Sequence, residues 1–398
     1  MIKYLRELGY YLKWVLKSKY RWFLILFTLW LYRVDFMPDT GVGMAKILQV
    51  GTIFGLLFLL LKRQPNLFQR MMRKTNAPIK SVALLYIYAM VSTVWALFPS
   101  FAFFLSFQNL VMIMLFTWLF SFFSSVYDLE KAFIFMALFI GLFEFIVLRI
   151  QSPILINHFL SGGSLAAMLL SYSIGEYLNI RGENHPRKNL LRNTALLALF
   201  LLIVNTSGGA NASAAFGIGV AMFFGGKKFI AFLVICLGVV LWMNQDWVDD
   251  IVLMLMPGKT MEVIESGNGR EVIWERIIHY ASQKPWLGWG FACAERIEQS
   301  IFSGQSLSDA HSNYVGMYGS LGIVGCILFG WHLLQTFMFT FVRRHKTGFL
   351  GVFSAFCCAT INGYSYGFLS GKTCSITIVY FMIVILSFYY HKLQQQHG

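Results

Sequence analysis

Residues 101–125 read Phe101-Ala-Phe-Phe-Leu-Ser-Phe-Gln-Asn-Leu-Val-Met-Ile-Met-Leu-Phe-Thr-Trp-Leu-Phe-Ser-Phe-Phe-Ser-Ser125, without one charged side chain. A helix rises about 1.5 Å per residue, so a run of this length crosses the roughly 30 Å hydrocarbon core of a bilayer. No water reaches the backbone there, and only helices or closed barrels can cross. Similar runs recur along the chain. They predict about twelve spans, at 21–34, 43–61, 80–98, 101–125, 132–150, 156–178, 193–206, 208–225, 229–245, 312–341, 348–366 and 374–391. Pro38, Pro99, Pro153 and Gly225-Gly226 punctuate the joins. Composition agrees. The chain is 57% hydrophobic and 13% charged, with a mean hydropathy of +0.63; soluble domains carry about 25% charged residues. The expectation is an all-α polytopic membrane protein, with residues 1–398 forming one transmembrane domain.

The net charge of +14 is not spread as a nucleic-acid surface would be. Assigning alternate connections to the cytoplasm puts 23 of the 32 Lys and Arg residues on that side, including six each in 1–21 and 62–80. This bias predicts that both termini are cytoplasmic. Residues 1–20 read as an amphipathic segment on the inner leaflet, and no signal-peptide cleavage site is visible. One connection, 246–311, exceeds 60 residues and falls outside, between spans nine and ten. No internal repeat is visible, and repeat-built transporters usually show one.

Several chemistries are not indicated. The six cysteines have no metal-binding spacing, and no disulfide is expected between the two outward ones, Cys293 and Cys374. Walker, HExxH and CxxC motifs are missing. Asp246-Trp-Val-Asp249-Asp250 reads as a helix end rather than a metal site. No cofactor is expected.

The chemistry concentrates in 266–328. Ser266-Gly-Asn-Gly-Arg270 leads into Arg270-Glu-Val-Ile-Trp-Glu-Arg-Ile-Ile-His-Tyr280, whose Val272, Ile273, Ile277 and Tyr280 recur at helical spacing. Free amides and a guanidinium at such a helix start can take phosphate oxygens; an interfacial helix with a solvated charged face is the plainer reading. Then come Pro285-Trp-Leu-Gly-Trp-Gly290, Asp309-Ala-His311-Ser-Asn313-Tyr314 and Gly322-Ile-Val-Gly325. His311 can serve a sugar hydroxyl as base or a leaving phosphate as donor. It can equally be an interfacial histidine beside a cap from Asp309. His279, His158 and His345 are weaker candidates. Arg149, at the outer end of span five, either snorkels or binds a diphosphate; Lys46 and Arg33 border the same side. Glu144 lies within span five, where it can pair with Arg149, and Glu176 reads as interfacial. Arginines and a histidine beside a bilayer suit an anionic, lipid-linked substrate.

Together these elements resemble the O-antigen ligase/polymerase family of bacterial envelope enzymes. The matching elements are Gly269-Arg270…Trp274, Pro285…Gly288…Gly290, Ala310-His311-Ser-Asn313-Tyr314 and Gly322-Ile-Val-Gly325, in the family's order. Weaker echoes are Val91-Ser-Thr-Val-Trp95…Pro99-Ser100 and Arg149…Asn157-His158. One departure stands out: the family's Ser-Arg pair near the eighth span is replaced by Asn205-Thr-Ser-Gly-Gly-Ala-Asn-Ala-Ser213, without an arginine.

The resemblance implies a fold like that of GT-C-type membrane glycosyltransferases. It also implies a metal-independent glycosyltransferase of the bacterial inner membrane, with its site in the periplasmic loop 246–311. A glycan would pass from a polyprenyl (undecaprenyl) diphosphate donor to a sugar hydroxyl. Arg270 and His311 are then the catalytic pair. Arg270, Arg149 and Arg276 would bind the diphosphate, while Trp274, Asn313 and Tyr314 would position the acceptor. The reading is a polymerase of O-antigen or another surface polysaccharide, in which a chain-length regulator can be a partner. The alternatives are a ligase to lipid A core in lipopolysaccharide biosynthesis and, from another class, a polysaccharide flippase. Partners are the lipid-linked donor, a saccharide or lipid A core acceptor and membrane lipids, not nucleic acid.

Overall fold

A computed structural model describes residues 64–151, 160–180, 186–205, 207–228, 270–297, 310–371 and 373–397, with isolated positions at 54–62 and 230. Among these residues the regular structure is helical: α1 (Leu67–Lys74), α2 (Ala77–Val91), α3 (Pro99–Phe120), α4 (Val126–Gln151), α5 (Leu160–Asn179), α6 (Pro186–Val204), α7 (Gly208–Phe224), α8 (Arg270–Ala281), α9 (Asn313–Arg343), α10 (Phe349–Ser365) and α11 (Ser375–His397). Among the described residues, four stretches are long and apolar enough to cross a membrane: Ala77–Val94, Pro99–Phe120, Asn313–Arg343 and Ser375–Gln396. Gly208–Phe224 and Phe349–Ser365 are shorter apolar helices. This is an all-helical fold of polytopic membrane type. The expected segment 1–20 and spans 21–34 and 229–245 lie outside the described residues, as does most of 43–61.

Helix limits depart from the hydropathy reading where polar residues cap or pack. The apolar run expected at 80–98 ends as helix at Val91 and turns through a short 3-10 segment, Ser92–Val94. α4 begins at Val126 rather than 132, because Ser125 Oγ accepts from Asp128 N at 3.1 Å and caps the first turn. α6 begins at Pro186 rather than 193; proline suits a first helical turn, where no intrahelical donor is needed.

Hydrogen bonds sort the helix ends into two groups. At one end Tyr314 Oη donates to Thr360 O at 2.9 Å and Thr373 Oγ1 donates to Asn109 Oδ1 at 2.8 Å. The start of α9 therefore meets the end of α10, and the segment leading into α11 meets the middle of α3. At the other end Asn76 Nδ2 donates to Ser387 Oγ at 3.4 Å, and Gly348 N donates to Glu176 Oε2 at 2.8 Å. Between the ends, α5 packs on α6, α7 and α10. α5 and α10 cross closely at Gly175 and Gly351, where a Cβ on Gly175 would stand 2.9 Å from Gly351 Cα.

A buried ionic cluster ties the second end together. Arg187 donates through Nε and Nη2 to Glu130 at 2.6 and 2.7 Å, and through Nη2 to Glu176 at 3.1 Å. Tyr172 Oη donates to Glu130 at 3.0 Å and contacts Tyr390 Oη at 2.6 Å. Gly351 N donates to Glu176 Oε1 at 2.9 Å, so this carboxylate also caps the start of α10. Glu176, read as interfacial, is fully buried by protein near the end of α5, and Arg187, which falls in the connection expected between spans six and seven, is in the first turn of α6 and 4% exposed. The cause is mutual: each ion is tolerable out of water only because the others are present. Arg187→Ala, which leaves two carboxylates buried without their cation, is expected to destabilise the protein by about 3–5 kcal/mol. Thermal unfolding in detergent measures this; an unchanged transition would contradict the cluster's role.

Candidate functional site

The predicted amphipathic stretch forms α8, with Arg270 as its first residue. Ile277 and Ala281 are fully buried, and Ile273 packs beside them against Ala294 and Ala310. Val272 is exposed instead, so the buried stripe runs 273/277/281. α8 lies on α9, close to Gly319, where an added Cβ would fall 2.6 Å from Ile277 Cγ2.

Trp274 joins two of the sequence elements. Its Nε1 donates to Ala310 O at 2.8 Å, and its ring meets that of Tyr364 edge-on at 5.2 Å. Arg270 stands one helical turn before Trp274, on the same face; His311 follows Ala310 directly. The chain passes His311 at φ +48°, a left-handed conformation uncommon for a residue with a Cβ. That turn leads into Ser312, whose Oγ accepts from Val315 N at 3.5 Å and caps α9. Asp309, the cap considered from the sequence, lies outside the described residues.

The Pro285–Gly290 element fills a break in α9. At Gly322 the backbone turns to φ 64°, ψ −162°, and the helical ladder opens. The four groups released there pair with the loop. Trp289 N donates to Gly319 O at 3.1 Å and Gly290 N to Ser320 O at 2.8 Å. In return Ile323 N donates to Pro285 O at 2.8 Å and Val324 N to Trp286 O at 3.3 Å. Two rungs of a helix are thus exchanged for four bonds to an inserted loop.

Glycine is needed on both sides of this contact. A Cβ on Gly288 would lie 2.6 Å from Ser320 backbone, and one on Gly322 would lie 2.5 Å from Trp286 backbone. The segment after α2 closes over the loop. Ser92 Oγ accepts from Phe291 N at 3.0 Å, Trp95 Nε1 donates to Leu287 O at 3.0 Å, and Leu97 N donates to Trp289 O at 2.9 Å. The motif quoted from 91–100 therefore braces the motif quoted from 285–290.

The remaining sequence candidates fall variously. Asn313 is 2% exposed, and its Oδ1 accepts from Leu369 N at 2.6 Å. It anchors the residues that follow α10, of which Gly367–Gly371 are buried. At the start of α11, Ser375 Oγ donates at 3.3 Å to Glu144, a buried carboxylate that also accepts from Ser161 Oγ. Tyr314 keeps its ring partly exposed. Arg276 is exposed on α8, away from the buried stripe. Arg149 is on α4, and its side chain lies outside the described set, as do His158, Lys46 and Arg33. His345 sits at the far end of α9, remote from His311. Cys293 and Cys374 are both free thiols.

Where the family's eighth-span arginine is missing, α7 is packed by small residues. Ser213 Oγ accepts from Asn362 Nδ2 at 3.1 Å, and a Cβ on Gly209 would collide with Ser365. The sequence reading passed over His332, which is fully buried in α9. Ser81 Oγ donates to Pro78 O at 2.9 Å, so it accepts from His332 Nδ1 at 3.0 Å; Nε2 then accepts from Tyr380 Oη at 2.7 Å. An ionisable residue inside an apolar run was the available signal.

Gly288→Ala and Gly322→Ala are each expected to destabilise by about 1–3 kcal/mol or more, from strain at positive φ and backbone overlap. Gly219→Ala, where an added Cβ meets open space, should be neutral or stabilising by up to about 1 kcal/mol. Unfolding temperatures of the three variants in one detergent test the contrast.

Comparison with known proteins was informative for one segment. No curated protein matches the chain. A family model described as O-antigen ligase matches residues 194–330. The match takes in α7, α8, the Pro285–Gly290 loop, His311 and the break in α9. Over residues 194–330, therefore, this chain is similar to the O-antigen ligase family, in agreement with the resemblance read from its motifs.

Proposed function

We propose that the protein transfers a glycan from a polyprenyl diphosphate to a sugar hydroxyl, in the manner of an O-antigen ligase/polymerase. Support comes from the family match and from the Trp274–Ala310 hydrogen bond, which ties the helix of Arg270 to the turn of His311. In this reading the acceptor oxygen forms a bond to the donor's anomeric carbon. The bond from that carbon to the diphosphate oxygen breaks, and the diphosphate leaves with the electron pair. Arg270, at the start of α8, stabilises the departing anion. His311 takes the proton of the acceptor hydroxyl. Arg149 and Arg276 serve as further diphosphate ligands, and Trp274, Asn313 and Tyr314 hold the surrounding frame. The leaving group is already a stable anion, so no nucleotide is consumed. The site faces the periplasm, and both termini face the cytoplasm.

The acceptor we carry forward is a second lipid-linked repeat unit, which makes the protein a polymerase. The description of the matching family favours a second reading, ligation to lipid A core. The family match favours either form of transfer over transport.

Purified protein supplied with lipid-linked repeat units alone should yield longer lipid-linked chains. Product that appears only on adding lipid A core would establish the ligase instead. His311→Ala and Arg270→Ala should each reduce transfer by about 10²–10³-fold in folded, inserted protein. Wild-type turnover by His311→Ala would refute the assignment of that histidine.

A further inference from the structure

At the end of α9 opposite His311 lies a cavity of about 610 Å³. Small-molecule sites run to roughly 300–1,000 Å³. Its lining combines apolar Leu178, Ile180 and Phe224 with polar Arg187, His345 and Thr347. None of the described lining residues is acidic. The nearby carboxylates of Glu130 and Glu176 are turned inward, to Arg187 and to the backbone amides at 348 and 351.

The surroundings are cationic and aromatic together. Lys188 Nζ lies 5.8 Å from the centre of the Tyr177 ring, and Lys228 Nζ lies 5.8 Å from that of Phe223. The Arg344 guanidinium stacks at 4.8 Å on Phe224, which lines the cavity, and at 4.1 Å on Phe341. Exposed Lys227 and Lys346 adjoin the lining residues Gly226 and His345. Ammonium and guanidinium groups resting on exposed aromatic rings mark the boundary between water and lipid. A cavity with mixed apolar and polar lining, rimmed by the exposed Lys227 and Lys346 at such a boundary, matches a headgroup that carries a phosphate beside acyl chains.

We infer that this cavity binds a phosphate-bearing anion at the face opposite the transfer site. The inference does not depend on the proposed chemistry. Its test uses the full-length protein in nanodiscs of phosphatidylcholine, with or without phosphatidylglycerol, followed by native mass spectrometry and thermal unfolding. Phosphatidylglycerol should be retained on the wild type and raise its unfolding temperature by about 3 °C. Ile180→Trp, which fills the cavity and leaves the charge unchanged, should abolish both effects. The pair Lys227→Gln with Lys346→Gln should weaken retention about tenfold, whereas Lys392→Gln should not. The same stabilisation by inorganic phosphate in phosphatidylcholine discs would identify the ligand as a soluble anion, again lost in Ile180→Trp. Equal retention and equal stabilisation in the wild type and Ile180→Trp would overturn the inference, as would no effect of either phosphate source.

Discussion

The opening of α9 at Gly322 is the constraint around which this end of the bundle is arranged. Inside an apolar medium a released carbonyl or amide has no water to turn to, and a helix cannot break there unless protein supplies partners. Pro285–Gly290 supplies them rung for rung. The loop must approach as bare backbone, which explains glycine at 288 and at 322 on physical grounds. Its own far side is closed by Ser92 and Trp95. Three segments distant in sequence thus form one hydrogen-bonded unit, and α8 is carried into place on it. Trp274 then extends this frame to Ala310, so a strained histidine turn is held from behind by a rigid scaffold. Such strain persists only where its surroundings over-determine it.

The two ends of the bundle use different chemistry. At the His311 end the buried polar groups are hydroxyls, amides and a carboxylate bonded to serines. At the opposite end they are ions, gathered around Arg187. A buried ion cluster adds little net stability compared with well-packed apolar side chains, yet removal of one member is heavily penalised. It therefore fixes which helices meet rather than how strongly they hold. α4, α5, α6, α10 and α11 all contribute to this one cluster. The His311 end is left to present polar groups without disturbing helix order.

Much of this was legible in the chain. Charge-free runs such as 101–125 located the helices, because burial in lipid forbids ions more strictly than it favours any particular residue. The motif order in 266–328 marked the candidate site, and the structure joins two of those motifs, 285–290 and 322–325, through backbone bonds that their glycines permit. Helix ends were less legible. Ser125-x-x-Asp128 is a capping pattern that hydropathy does not register. Pro186-Arg187 reads as loop until the partners of Arg187 are known, and those partners lie 11 and 57 residues earlier. His332 was passed over because a single histidine in an apolar run has no periodicity; its role rests on Ser81 and Tyr380, each on another helix.

The cap that Glu176 places on α10 bears on how the chain is assembled. Its amide donors belong to Gly348 and Gly351, and the hydroxyl that completes the Tyr172 pair belongs to Tyr390. While the polypeptide is still being made, α4 to α6 must wait with two carboxylates sharing one guanidinium. Only arrival of the last hairpin supplies the missing donors. Nascent chains interrupted before that point keep the Glu176 carboxylate short of two amide donors and Tyr172 short of its hydroxyl partner.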